Sequence, residues 1–434
     1  MRFLGFGETN DLGDMYLRLA ERGHEVKVYM SDPESAGVMD GMLHFVSEWK
    51  KELPWIRDAG KNGFVLFETA SDGKLQDELR ADGFNVIGGS GLGDRLEADR
   101  AFGQQTLNEA GIATPDSHAF ESFDDARHFI SRKRGRHVLK LNGTNWSSIS
   151  TYTGRMQTGE DMIAILDATQ RRWPDDEPVS FILMEHVDGV EVGVGAFFNG
   201  QNFLRPANLD WEHKRFFPGD LGELTGEMGT VVTYRGAEKI FDATLGRLES
   251  LLRSSGYCGY INLNTIVNTA GIWPLEFTCR FGYPGFPILD SLHIDRWDEV
   301  FAKMISGENT ELQTQDGFSV GVVITVPPFP YSANYEHLGK GLPICFLKQT
   351  SERERDSIHY GEVALRDGQL VTAGMIGYIA VVTGIGETIS AARENAYELA
   401  RQIVIPNSRY RIDIGEKLVR EDLKTLTALG WLSP

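Results

Sequence analysis

The chain is predicted to be an α/β protein that opens on a doubly wound parallel sheet. Short apolar runs alternate with helix-length stretches through residues 1–95. Glycine turns at Gly5 and Gly7, and again from Gly88 to Gly93, punctuate that alternation. Residues 260–267 and 272–277 then read as a strand pair across a short turn.

The elements follow in order. A strand at 2–6, a helix at 12–22 and a strand at 25–29 make the first unit; strands at 64–67 and 85–88 flank a helix at 75–81. A helix spans 94–110, and strands and helices alternate over 111–190, ending in a strand at 181–184. Residues 218–229, glycine-rich and polar, read as a long functional loop. A helix at 237–254 leads into the strand pair, and another lies near 298–305. A linker at 307–317 precedes a last portion that starts with a strand at 320–326 and ends with helices at 387–402 and after 419. The expected domains are 1–95, 96–310 (in two parts, about 111–187 and 188–310) and 318–434.

Composition narrows the function. The 434 residues are 41% hydrophobic, enough for large cores, and carry a formal net charge of −19. No basic excess exists to release counterions from nucleic acid or an anionic membrane. Three cysteines without C-x-x-C spacing fit a reduced, cytoplasmic protein without a zinc site. No apolar run reaches the roughly 18 residues that span a bilayer.

The most informative segment is Glu276-Phe277-Thr278-Cys279-Arg280. Alternation along a strand points Glu276, Thr278 and Arg280 to one face, joining a metal ligand, an oxygen donor and a phosphate clamp. A strand end with a surface salt bridge is the plainer alternative. Asn264, twelve residues earlier across the turn, is placed to share magnesium with Glu276 and Thr278. Lys140 ends a short apolar strand, where an ammonium can meet nucleotide phosphates. Glu185, His186 and Val187 leave the next strand with backbone groups for an adenine edge, and Glu191 follows with a carboxylate for ribose hydroxyls.

In combination these segments resemble the ATP-grasp superfamily, and closely its phosphoribosylamine–glycine ligase branch. Leu96-Glu97-Ala98-Asp99-Arg100-Ala101-Phe102 is similar to that family's L-E-x-S-K-A-F. Val138-Leu139-Lys140 matches I-K-A, and Asp188-Gly189-Val190-Glu191 matches D-G-E-E. His213-Lys214-Arg215 with Thr225-Gly226-Glu227-Met228-Gly229 resembles D-H-K-R…T-G-G-M-G, and Glu276–Gly282 resembles E-F-N-C-R-F-G. The resemblance implies an ATP-grasp fold with a small C-terminal α+β domain. It also implies ATP with Mg²⁺ (or Mn²⁺ in its place), and small-molecule carboxylate and amine substrates handled by a monomer or homodimer.

It further implies roles. Arg100 and Lys140 hold phosphates with Ser147 and Ser148, and Arg280 and Lys140 stabilise the transferred phosphoryl group. His213, Lys214, Arg215, Thr225, Gly226 and Gly229 line the substrate pocket. Three departures stand out. The family's G-x-G-G-R-E-H reads Gly5-Phe6-Gly7-Glu8-Thr9-Asn10-Asp11, its glycine- and lysine-rich phosphate loop reads Gly143–Ile149, and its C-terminal G-G-R lacks the arginine at Gly374–Tyr378. They lead to the expectation of an ATP-dependent carboxylate–amine ligase with an altered acceptor. The alternatives are a genuine phosphoribosylamine–glycine ligase and an inactive nucleotide-binding partner.

Overall fold

A computed structural model describes residues 1–142, 151–174 and 177–432. The chain divides into two compact units. Residues 1–94, 192–262 and 278–434 form the first, and residues 95–191 and 263–277 the second.

In the first unit a five-stranded parallel sheet has Arg2–Gly7 at its centre, with Glu25–Met30 on one side and Gly63–Phe67 on the other. Phe3, Leu4 and Phe6, with Phe64 to Phe67, are buried on both faces, as parallel strands covered by helices require. The chain leaves the central strand toward one neighbour and returns on the other, so the sheet reverses direction beside Gly7 and Glu68. Open α/β sheets bind ligands at such a reversal. A larger antiparallel sheet runs, in hydrogen-bonded order, through Val190–Asn199, Asn208–Glu212, Gly229–Thr233, Phe318–Thr325, Tyr378–Gly386 and Ile358–Tyr360. Helix Ile389–Ala400 packs against it where Gly384 and Gly386 leave room for the helix backbone.

The second unit holds an antiparallel sheet in the order Ser117–Phe120, Phe181–Glu185, His137–Leu141 and Thr151–Thr153. Leu139 and Leu141 point into a core with Phe123, Ile130, Met162 and Phe181, which leaves Lys140 on the opposite face.

Three elements differ from expectation. The helix at 94–110 is two, Gly91–Ala98 and Arg100–Glu109, because Asp99 caps the second by accepting from the Phe102 N–H at 3.0 Å. The helix at 237–254 breaks at Thr244, whose Oγ1 donates to the Ile240 carbonyl at 2.6 Å. The loop at 218–229 holds the turn and second strand of a hairpin, Arg215–Phe217 with Leu221–Leu224, with Gly219, Asp220 and Gly222 at positive φ. Among the described residues no helix is long and apolar enough to cross a membrane.

Candidate active site

In the second unit two cations converge on one carboxylate. Glu276 Oε2 accepts from Arg100 Nη1 at 2.8 Å and from Lys140 Nζ at 3.1 Å. Arg100 sits at the first residue of its capped helix, and buried Gln104 ties that helix to the Leu275 carbonyl at 3.0 Å. Lys140 is 6% exposed on its strand. A guanidinium and an ammonium on one side of the unit are the donors that phosphate oxygens accept from.

Asn264 Nδ2 donates to Glu191 Oε1 at 2.7 Å, while its Oδ1 is buried without a hydrogen-bond partner. An orphaned amide oxygen beside a carboxylate fits a hard cation such as Mg²⁺. No group of three His, Cys, Asp or Glu among the described residues is arranged to hold a metal. Glu276, Glu191 and Asn264 are oxygen-bearing side chains of this unit. Thr278 and Arg280 fall just past the boundary, in the first unit.

Two of the backbone N–H groups expected to face adenine have partners within the sheet. Glu185 lies inside its strand with its N–H on the Asp116 carbonyl at 2.8 Å, and the His186 N–H donates to the Arg136 carbonyl at 3.0 Å. These N–H groups extend the pairing of an interior strand to its two neighbours, and Val187 is the first residue past them. Ser147 and Ser148 lie outside the described residues. An open groove of about 480 Å³ is lined by Gln104, Gln105, Asn108 and Ser117 among others, and by none of the predicted residues.

In the first unit, His213 to Gly229 close on themselves. The His213 N–H donates to the Gly229 carbonyl at 2.9 Å, and Thr225 donates through N–H and Oγ1 to the Lys214 carbonyl. Gly226 is exposed at the tip, whereas Gly229 is buried. His213 Nε2 accepts from the Gly415 N–H at 3.0 Å, and burial with the nearby Arg411 pushes its imidazole down to about 4. It is a neutral positioning group at physiological pH. Arg215 donates to the Gly222 carbonyl at 2.8 Å and so holds the hairpin, while Lys214 pairs with Glu212 at 2.8 Å.

Comparison with known proteins now decides the family. Residues 98–286 match the phosphoribosylglycinamide synthetase ATP-grasp (A) domain, and residues 319–417 match the C domain of the same synthetase. A phosphoribosylamine–glycine ligase of Pseudomonas aeruginosa is 28% identical over 358 residues, covering 80% of each chain. One of Listeria innocua is 24% identical over 92% of this chain and 96% of its own. The crystal structure of the Thermotoga maritima phosphoribosylamine–glycine ligase superposes with a TM-score of 0.72 at 23% identity, covering 95% of this chain and all of that one.

This is an ATP-grasp protein of the phosphoribosylamine–glycine ligase type.

As an ATP-grasp ligase it forms C–N bonds from a carboxylate and an amine. The N-terminal doubly wound and C-terminal α+β portions both match the expected fold. Sequence reasoning missed what fills two of the ligase's loops. At the sheet reversal, Glu68 Oε1 accepts from the N–H groups of Glu8 (2.5 Å), Thr9 (2.9 Å) and Asn10 (3.0 Å), and Oε2 from Leu12 at 3.3 Å. Gly7 is required there, since a Cβ would stand 2.5 Å from that carboxyl group. In the C-terminal portion, Glu362 accepts from the N–H groups of Met375, Ile376, Gly377 and Tyr378 at 2.6–3.2 Å. Both loops are the departures noted above, and each encloses an internal carboxylate. Beside the first loop, Asp11 is pushed up by burial and pulled back by Arg280.

Proposed function

We propose that the ligase joins glycine to phosphoribosylamine at the expense of ATP, the pair its relatives' names record. The relatives favour this pair over the altered acceptor expected from the sequence. The convergence of Arg100 and Lys140 on Glu276 is the observation that carries the reading. Arg100 and Lys140 would pair with the triphosphate in place of Glu276, whose carboxylate would then be open to a cation. Glu276 and Asn264 would hold a divalent cation, Mg²⁺ or Mn²⁺, which would supply charge neutralisation along the phosphates.

The γ-phosphoryl group passes to the glycine carboxylate oxygen, giving an acyl phosphate and ADP. The amine nitrogen then attacks the acyl carbon and phosphate leaves. The chain contributes positioning and charge: Arg100 and Lys140 at the phosphates, Glu191 at the ribose, Arg280 at the transferred group. His213, Lys214, Arg215, Thr225, Gly226 and Gly229 frame the substrates. Release of ADP from Mg·ATP should require both glycine and the amine, and Lys140→Ala should cut it at least 100-fold. ADP release that ignores both substrates would overturn the reading.

A second reading, an amine without a phosphate, has one specific support. The loop at the sheet reversal already surrounds Glu68, so its N–H groups are taken. Phosphoribosylamine and ribosylamine compared at equal concentration separate the two. Preference for the unphosphorylated amine would replace the first reading with the second.

A further inference from the structure

One face of the larger sheet carries a cluster of acids. Asp210 and Glu212 alternate onto one face of their strand, with Thr230 opposite Glu212 on the next. Gly193 and Gly195 pair with Asp210 and Asn208, and a Cβ on Gly193 would stand 2.1 Å from the Asp210 carboxylate. Two glycines thus clear the space the polar groups occupy. Asn262 donates to Asp210 at 2.6 Å, and Lys214 meets Glu212 at 2.8 Å. Glu227 faces the same charges: Glu212 and Asp210 repel it and Lys214 attracts it. It is 5% exposed, and its Oε1 has no hydrogen-bond partner; nor has Thr230 Oγ1, on a residue 2% exposed.

Three carboxylates meet one ammonium here. A buried carboxylate oxygen without a donor is a costly arrangement that a cationic donor relieves. Burial pushes Asp210 up to about 7 and Glu227 well above the usual carboxylate range, as expected where a counter-cation is missing. The donor set does not suit a metal, since no three such ligands converge among the described residues. A primary ammonium, with three N–H donors, meets the demand.

We propose that Glu227, Asp210 and Thr230 form the recognition site for the ammonium group of the amino-acid substrate. The proposal rests on the ligase reading above. The ammonium of the activated amino acid keeps its charge through the reaction, whereas the attacking amine must be neutral. A cluster of acids that gives up its protons to an arriving cation therefore selects the former. It also disfavours carboxylates that carry no ammonium, because these bring no donor for the cluster's oxygens.

Calorimetric titration of the full chain with glycine and with glycolate, which carries hydroxyl in place of ammonium, tests this. Glycine should bind at least tenfold more tightly than glycolate. Glu227→Gln, and independently Asp210→Asn, should weaken glycine at least tenfold and leave glycolate unchanged. Equal binding of the two probes, no binding of glycine, or unchanged glycine affinity in both variants would overturn the proposal. Glycine binding without ADP release would leave this site standing and sink the ligase reading instead.

Discussion

Glu68 (buried) and Glu362 (half-buried) on one side, and buried Glu227 on the other, are glutamates of one unit with opposite surroundings. The first two each sit in a turn of backbone, with four N–H groups aimed at the carboxylate. Glu227 has an oxygen aimed at nothing. Charge-assisted hydrogen bonds from backbone N–H groups are among the stronger polar contacts in a fold, and leaving them unmade is costly. A carboxylate supplied with four such donors is therefore part of the architecture. One denied them in a buried acidic cluster is held ready for something else. The same side chain marks a finished turn in two places and an unfinished site in the third.

The comparison breaks most visibly if the finished turns prove dispensable. Glu68→Ala leaves four N–H groups at the sheet reversal without an acceptor and should lower stability by about 3–5 kcal/mol in a denaturant titration. Glu362→Ala, in a less buried turn, should cost about 2–3 kcal/mol by the same measurement. An unchanged midpoint in both would mean the turns hold their shape without the carboxylates, and the loop at residues 5–12 would return as a candidate phosphate site.

How far this was legible in the sequence depends on what the partner atoms are. The apolar runs at Phe3–Phe6 and Phe64–Phe67 announce buried parallel strands, and the order of motifs from Leu96 to Gly282 announces the family. Glu276, Lys140 and Arg100 were legible one by one, and the structure joins them. Glu68 and Glu362 were not, because their partners are backbone N–H groups that no residue type advertises. Glu68 lies about sixty residues from its turn. Asp99 is the local counter-example: a capping residue in mid-pattern that signals a helix break, passed over because the apolar spacing continues across it. Glu227 was visible where the family has a glycine, but its burial depends on strand pairing that only the fold supplies.

An intermediate effect concerns pH. Burial, reinforced by Asp11, pushes Glu68 up to about 7, and burial with Glu212 does the same for Asp210. Both groups hold a proton more tightly folded than unfolded. Their contribution is fully present below the unfolded carboxyl range near pH 4 and is lost as pH rises through about 7. The chain should therefore become less stable between about pH 5 and pH 8 in unfolding titrations. Asp210→Asn should flatten part of that slope. A slope of opposite sign would show that both carboxylates are ionised and compensated in the folded chain.

The smallest effect sharpens the comparison furthest. Glu227→Gln replaces a buried carboxyl group that has no donor on Oε1, while keeping the shape of the side chain and adding N–H donors that face carboxylates. Without ligand, the variant should be more stable than the parent by about 1 kcal/mol at alkaline pH, where the carboxyl group is forced to ionise without a donor and a neutral amide of the same size is not. The gain should shrink in saturating glycine, because the ligand stabilises the parent and not the variant. For Glu68 the same glutamate-to-glutamine change should lose stability with or without glycine. Opposite signs at Glu227 and Glu68 would separate a carboxylate kept for a substrate from one kept for the fold. A loss at both would place Glu227 among the structural acids, with an internal partner still to be found.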